Sequence, residues 1–134
     1  NKAKNTVLKV PNKTLKKYGA VSMQCCLSMV NNLSKLSKCK ICISVTGIAG
    51  PKGGSRKKPV GLVFIGIKNR KKIKINKFVF KNKGRSYIQR STLKKAMFLL
   101  LNEMLLIFGL LACFTKYSWN ESNPLLVSMT VWII

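Results

Sequence analysis

Hydrophobic positions along this chain recur in two different periods, and the switches between them divide it into helices and strands. Near the start, Val10-Pro11-Asn12, residues 13–18 and then Gly19 predict a short helical turn, opened by proline and closed by glycine. Ser22 stands as the N-cap of a second helix, where Met23, Cys26, Leu27 and Val30 recur at the spacing of one buried face that fades near residues 34–38. Ile41-Cys42-Ile43-Ser44-Val45 is short, β-branched and flanked by polar and glycine-rich segments, so it predicts a buried strand. Residues 46–54 follow as a loop, with glycines and Pro51 that permit backbone conformations costly to other residues.

The second half repeats the alternation. Residues 60–67 predict another strand, with Gly61 and Gly66 marking close approach of a neighbouring backbone or a bulge. Residues 69–72 predict a turn. Ile73 and Ile75 then alternate with polar residues while Phe78 and Phe80 alternate in the opposite phase, which predicts a hairpin carrying a bulge between them. Ser86-Tyr87-Ile88-Gln89 fits a capping box, with Ser86 as N-cap of a long helix that buries Ile88, Leu93, Ala96, Leu100 and Met104 and ends near Leu106. Residues 96–114 are almost continuously apolar, so a membrane span is a competing assignment. Glu103 opposes it, since a carboxylate within a span costs a few kcal/mol.

Composition narrows the chemistry. With 134 residues, 47% of them hydrophobic, there is material for one core and one domain. The chain has no histidine, and Glu103 and Glu121 are its only acids, which argues against paired-carboxylate catalysis. Cys39 and Cys42 have C-x-x-C spacing without a second pair, so a zinc site is disfavoured and Cys25, Cys26 and Cys42 are expected to be small buried side chains. No metal and no cofactor are expected. A formal charge of +24 would draw polyanions, but the basic residues are scattered, dominated by lysine and accompanied by asparagine and isoleucine. Nucleic acid is therefore not expected as the main partner. The polar, basic opening of the chain has no signal-peptide pattern, and a cytoplasmic protein is expected.

The most informative segment is Ser44-Val45-Thr46-Gly47-Ile48-Ala49-Gly50-Pro51-Lys52-Gly53-Gly54, followed by Lys58-Pro59-Val60-Gly61. It matches neither a P-loop nor a dinucleotide-binding turn. A glycine-rich loop leaving a buried strand can offer backbone N–H groups to a phosphate, a carboxylate or a developing oxyanion, or it can simply reverse the chain. T-G-I-A-G-P, then G-G, then K-P-V-G before an apolar strand resembles the signature of the CinA C-terminal domain, the nicotinamide-nucleotide amidohydrolase family. Tyr18-Gly19-Ala20-Val21-Ser22 is similar to that family's L-x-x-x-G-A-V-S element. Asn1-Lys2-Ala3-Lys4 with Leu8 and Val10-Pro11 is similar to its S-N-x-x-K-x-x-x-L-G-V-P element, and Gly84-Arg85 to its G-D-R segment.

The resemblance implies an α/β fold: a three-layer α/β/α sandwich with a mixed sheet, here expected to lack the first strand and helix. Residues 1–106 would be a partial domain. Residues 107–134 match no part of the family and differ in texture from the lysine- and asparagine-rich body, as expected of readthrough or a shifted frame. The family hydrolyses the carboxamide of nicotinamide mononucleotide to the acid, with release of ammonia. Its nucleophile is the serine of an E-S-C-T-G-G motif, activated by a tyrosine and a lysine of a Y-S-N-x-x-K element. By that matching Lys4 is the catalytic lysine, while the serine and tyrosine fall before Asn1, so the chain alone is expected to be inactive. Thr46, Gly47, Ile48, Ala49 and Gly50 would face the substrate, and Arg85 would pair with its phosphate or else be a solvated arginine at a helix start. No aspartate stands between Gly84 and Arg85, and Gln89 replaces a second arginine of the family. A homo-oligomer is left open. The alternatives are a basic nucleic-acid-binding protein, or a small membrane-associated one anchored through residues 96–114.

Overall fold

The computed structural model describes residues 2–114 and 127–133, with side chains over residues 4–105. Two short helices, α1 (Lys2–Thr6) and α2 (Asn12–Tyr18), lead into α3 (Met23–Ser37). Strands β1 (Ile41–Gly47), β2 (Leu62–Asn69) and β3 (Lys72–Val79) form an antiparallel meander followed by helix α4 (Arg85–Phe114). A last strand, β4 (Val127–Ile133), pairs parallel to β1 and completes a mixed sheet of order β3-β2-β1-β4.

Alternation along the strands assigns each residue to one of two faces. Cys42, Leu62 and Phe64 meet α3 with Cys25, Cys26, Met29 and Val30. Ile43, Val45, Val63, Ile65 and Ile67 meet Ile88 and Ala96 of α4. Helices thus cover both faces of the sheet and make the three layers expected. Every residue of β1 is buried, consistent with a strand packed above, below and at both edges.

Several local expectations are corrected. The buried face of α3 is Cys25, Cys26, Met29, Val30 and Leu33, whereas Met23 and Leu27 are exposed. The N-cap is as expected: the Ser22 hydroxyl accepts from the Cys25 amide and donates to the Gly19 carbonyl. Thr46 and Gly47 belong to β1, not to the loop. Residues 60 and 61 precede β2, which extends instead to Asn69.

No bulge separates Ile75 from Phe78, because β3 pairs with β2 in unbroken register from Lys72 to Val79. The phase change has a simpler cause. Ile73 and Ile75 pack toward α3 and Phe78 toward α4, so the strand supplies both cores in turn. Gly61 and Gly66 do mark close approaches: a Cβ on Gly61 would lie 2.1 Å from the Phe80 carbonyl oxygen, and one on Gly66 would lie 2.9 Å from Ser44 Oγ.

Ser86 is not the N-cap of α4. The helix begins at Arg85, and the Gly84 carbonyl accepts from the Ile88 amide, which places Ser86 inside the first turn. The buried stripe is Ile88, Thr92, Ala96 and Leu100; Leu93 is exposed and Met104 half-buried. Nor does α4 end near Leu106, since its apolar sequence carries the helix to Phe114. Among the described residues no helix is both long and apolar enough to cross a membrane. Residues 115–126 of the expected tail lie outside the described residues.

Candidate functional site

Lys4 is the least expected member of the core: a lysine with 2% of its surface exposed. Its placement begins with the chain around α1. The Val10 amide donates to the Lys4 carbonyl and Asn5 Nδ2 to the Val10 carbonyl, folding the segment back on itself. Asn32 of α3 then donates from Nδ2 to the carbonyls of Leu8 and Lys9, at 2.8 and 3.0 Å. Leu8 and Val10 anchor the same segment in the apolar cluster beneath α3.

From this position Lys4 Nζ donates to Thr46 Oγ1 at 2.9 Å and to the Ala20 carbonyl at 3.1 Å. Thr46 Oγ1 donates in turn to the Ala20 carbonyl at 2.8 Å. No carboxylate joins them, since Glu103, the only acid among residues with described side chains, is paired with Lys74 on the other side of the sheet. Burial therefore holds the Lys4 pKa below the ordinary lysine range, opposed by Cys25 and Cys26 in their thiolate forms. Burial also pushes the Cys26 thiol up to about 11, so that opposition is weak near neutrality. A neutral lysine amine has two N–H donors and one lone pair. In that form Thr46 and Ala20 would accept both donors and the lone pair would be open to a proton.

The glycine loop is less open than its composition implied. The Ile48 amide already donates to the Leu62 carbonyl at 2.9 Å, and the Ile48 carbonyl accepts from Gly61 at 2.7 Å. Ile48 and Ala49 direct their side chains into the core, so their contact with any ligand is confined to the main chain. Gly47 lies against β2, where a Cβ would come within 2.7 Å of Val63 Cγ2. Gly50 offers its carbonyl to Arg85 Nη1 at 3.3 Å. Lys4 and Thr46 are thus brought together, while Arg85 stands apart at the start of α4 and approaches the loop from the opposite face.

Sequence reasoning did not single out Ala20, although it lies in the quoted Gly-Ala-Val-Ser element; a main-chain acceptor leaves no mark on residue type. It quoted Lys58 within the K-P-V-G element but gave it no role; its Nζ donates to the Tyr18 carbonyl at 2.6 Å and ties the glycine loop to the segment that carries Ala20. The C-x-x-C thiols point to main-chain carbonyls, Cys39 to Ser37 and Cys42 to Cys39. Among the described residues no group of three or more potential ligands could hold a metal ion.

A family model described as the CinA C-terminal domain matches residues 1–104. A CinA-like protein of Endomicrobium trichonymphae is 42% identical over 105 residues, which is 78% of this chain and 24% of that protein. A CinA-like protein of Thermotoga neapolitana is 51% identical over 67 residues, covering 50% of this chain and 16% of that one. The chain therefore spans about a quarter or less of the curated relatives it matches. Among solved structures, the competence/damage inducible protein CihA of Agrobacterium tumefaciens superposes with a TM-score of 0.73 at 38% identity, over 76% of this chain and 62% of that one.

Proposed function

Because the chain belongs to the CinA C-terminal domain family, we propose that it carries the lysine and threonine of a nicotinamide-nucleotide amidohydrolase site. The observation that most supports this is the burial of Lys4 against Thr46 of the T-G-I-A-G-P segment, with no acid beside it among the described residues. A lysine so placed is suited to proton transfer. The reaction adds a hydroxyl oxygen to the carboxamide carbon and expels the nitrogen as ammonia. In this proposal Lys4 takes the proton of the attacking hydroxyl and returns it to the leaving nitrogen, while Thr46 and the Ala20 carbonyl fix the direction of its lone pair. The hydroxyl belongs to the family's E-S-C-T-G-G element, which does not occur among these 134 residues.

The test joins this chain to a relative's segment bearing that element and measures ammonia released from nicotinamide mononucleotide. The joined protein is expected to be active and its Lys4→Met variant inactive, while the chain alone releases none. A folded but inactive joined protein, or an active Lys4→Met variant, overturns the proposal.

A further inference from the structure

Three consecutive carbonyls, those of Tyr18, Gly19 and Ala20, lie where α2 ends and the chain turns toward α3, and each accepts from a side chain. The Gly19 carbonyl accepts from Ser22 Oγ at 3.0 Å, and the Ala20 carbonyl accepts from both Lys4 and Thr46. The Tyr18 carbonyl, one of those a helix leaves unpaired at its C-terminal end, accepts from Lys58 Nζ at 2.6 Å. Lys58 reaches it from forty positions away along the chain. Its own backbone is fixed, since the Ser55 amide donates to the Lys58 carbonyl at 2.8 Å and the Lys58 amide to the Ser55 carbonyl at 3.1 Å. Gly19 makes room for the ammonium group: its φ is +79°, and a Cβ there would lie 3.0 Å from Lys58 Nζ. With the first two carbonyls held by Lys58 and Ser22, the third is left to Lys4 and Thr46.

We propose that Lys58 is a positioning residue for Lys4: by holding the Tyr18 carbonyl it sets the Ala20 carbonyl, and through it the orientation of the Lys4 amine. It acts through the main chain of the Tyr18-to-Ala20 turn and takes no part in proton transfer itself. Because Lys58 belongs to the glycine loop, a shift of that loop is carried to the turn by this bond. The proposal rests on the amidohydrolase assignment only for what the Lys4 amine does; the linkage from Lys58 to Lys4 stands without it.

The test follows exchange of the Lys4 ammonium protons with water by heteronuclear NMR, on the full chain and at a pH where Lys4 is protonated. Lys58→Met keeps the length of the side chain without its donor and is expected to raise that rate about tenfold, the weight of one hydrogen bond to a charged group. Lys58→Arg restores a donor and should return the rate to within about threefold of the parent chain. Lys57→Met removes the same charge at the exposed neighbouring position and should change the rate by less than about twofold. Gly19→Ala crowds Lys58 Nζ from the other side of the bond and is expected to raise the rate as well, so it stands in if Lys58→Met does not fold. An unchanged rate in Lys58→Met, an equal effect of Lys57→Met, or no recovery in Lys58→Arg overturns the proposal. No turnover is measured, so a folded but inactive joined protein sinks the amidohydrolase assignment and leaves this linkage standing.

Discussion

The two faces of the sheet are built on different principles. Toward α4 the strands present Ile43, Val45, Val63, Ile65, Ile67 and Phe78, and the helix answers with Ile88, Ala96 and Leu99, while Lys74 pairs with Glu103. Toward α3 the same strands present Leu62, Phe64, Ile73 and Ile75 together with Cys42, Ser44 and Thr46, and the two hydroxyls have partners: Ser44 Oγ donates to the Cys26 carbonyl and Thr46 Oγ1 to that of Ala20. One face contributes stability through area removed from water. The other adds hydrogen-bonded polar groups to its apolar packing and so holds Lys4 in a defined orientation. The proposed chemistry lies on the α3 side, and the α4 side packs apolar residues beside the Lys74–Glu103 pair.

This division can be broken experimentally, and the largest effect is expected on the supporting face. Ile65→Ala leaves a cavity beneath α4 and should cost about 3–4 kcal/mol in denaturant unfolding while leaving the environment of Lys4 unchanged. A loss below about 1 kcal/mol would mean that α4 is not seated as described.

The second effect is a pH dependence carried by the α3 face. Cys26 has its thiol raised from 9.0 to about 11, so the native state retains a proton that the unfolded chain gives up. Stability should fall by about 2–3 kcal/mol as pH rises from 9 to 11. Lys4 acts in the opposite sense. Its pKa is lowered from 10.5, the unfolded chain binds more protons below that value, and stability rises with pH through the window between the native and unfolded values. Urea midpoints measured across this range separate the two. Cys26→Ala should remove the alkaline loss, and Lys4→Met should remove the rise; an unchanged profile in both variants refutes the assignment.

Thr46→Val keeps the shape and removes the hydroxyl, so Lys4 loses an acceptor and is pushed further toward its neutral form. A cost of about 1–2 kcal/mol at neutral pH, shrinking as pH rises, is expected from thermal unfolding. The smallest effect is predicted for Arg85→Ala. The arginine itself is exposed and its part-buried bond to Gly50 is long, so its removal should change stability by less than about 0.5 kcal/mol.

Much of this organisation was legible along the chain because it depends on local pattern. The β-branched run at Ile41 to Val45 has no stable place except inside a sheet, and Ser22 caps α3 as its residue type foretells. The rotation of α3 and the phase of β3 were not legible, because each depends on which of two cores a side chain enters. Ile75 and Phe78 are equally apolar, and only the register with β2 sends one to each face.

The candidate site divides in the same way. Motif order along the sequence was enough to mark Lys4, the Thr46 loop and Arg85 as residues of interest, since spacing within a family is preserved by the fold it encodes. Only the tertiary structure decided that Lys4 and Thr46, forty-two positions apart, share a bond, that Ala20 receives both, and that Arg85 lies across the sheet. The physical reason is that a buried amine must find acceptors wherever the packed chain supplies them. Those acceptors include a backbone carbonyl that no residue type announces.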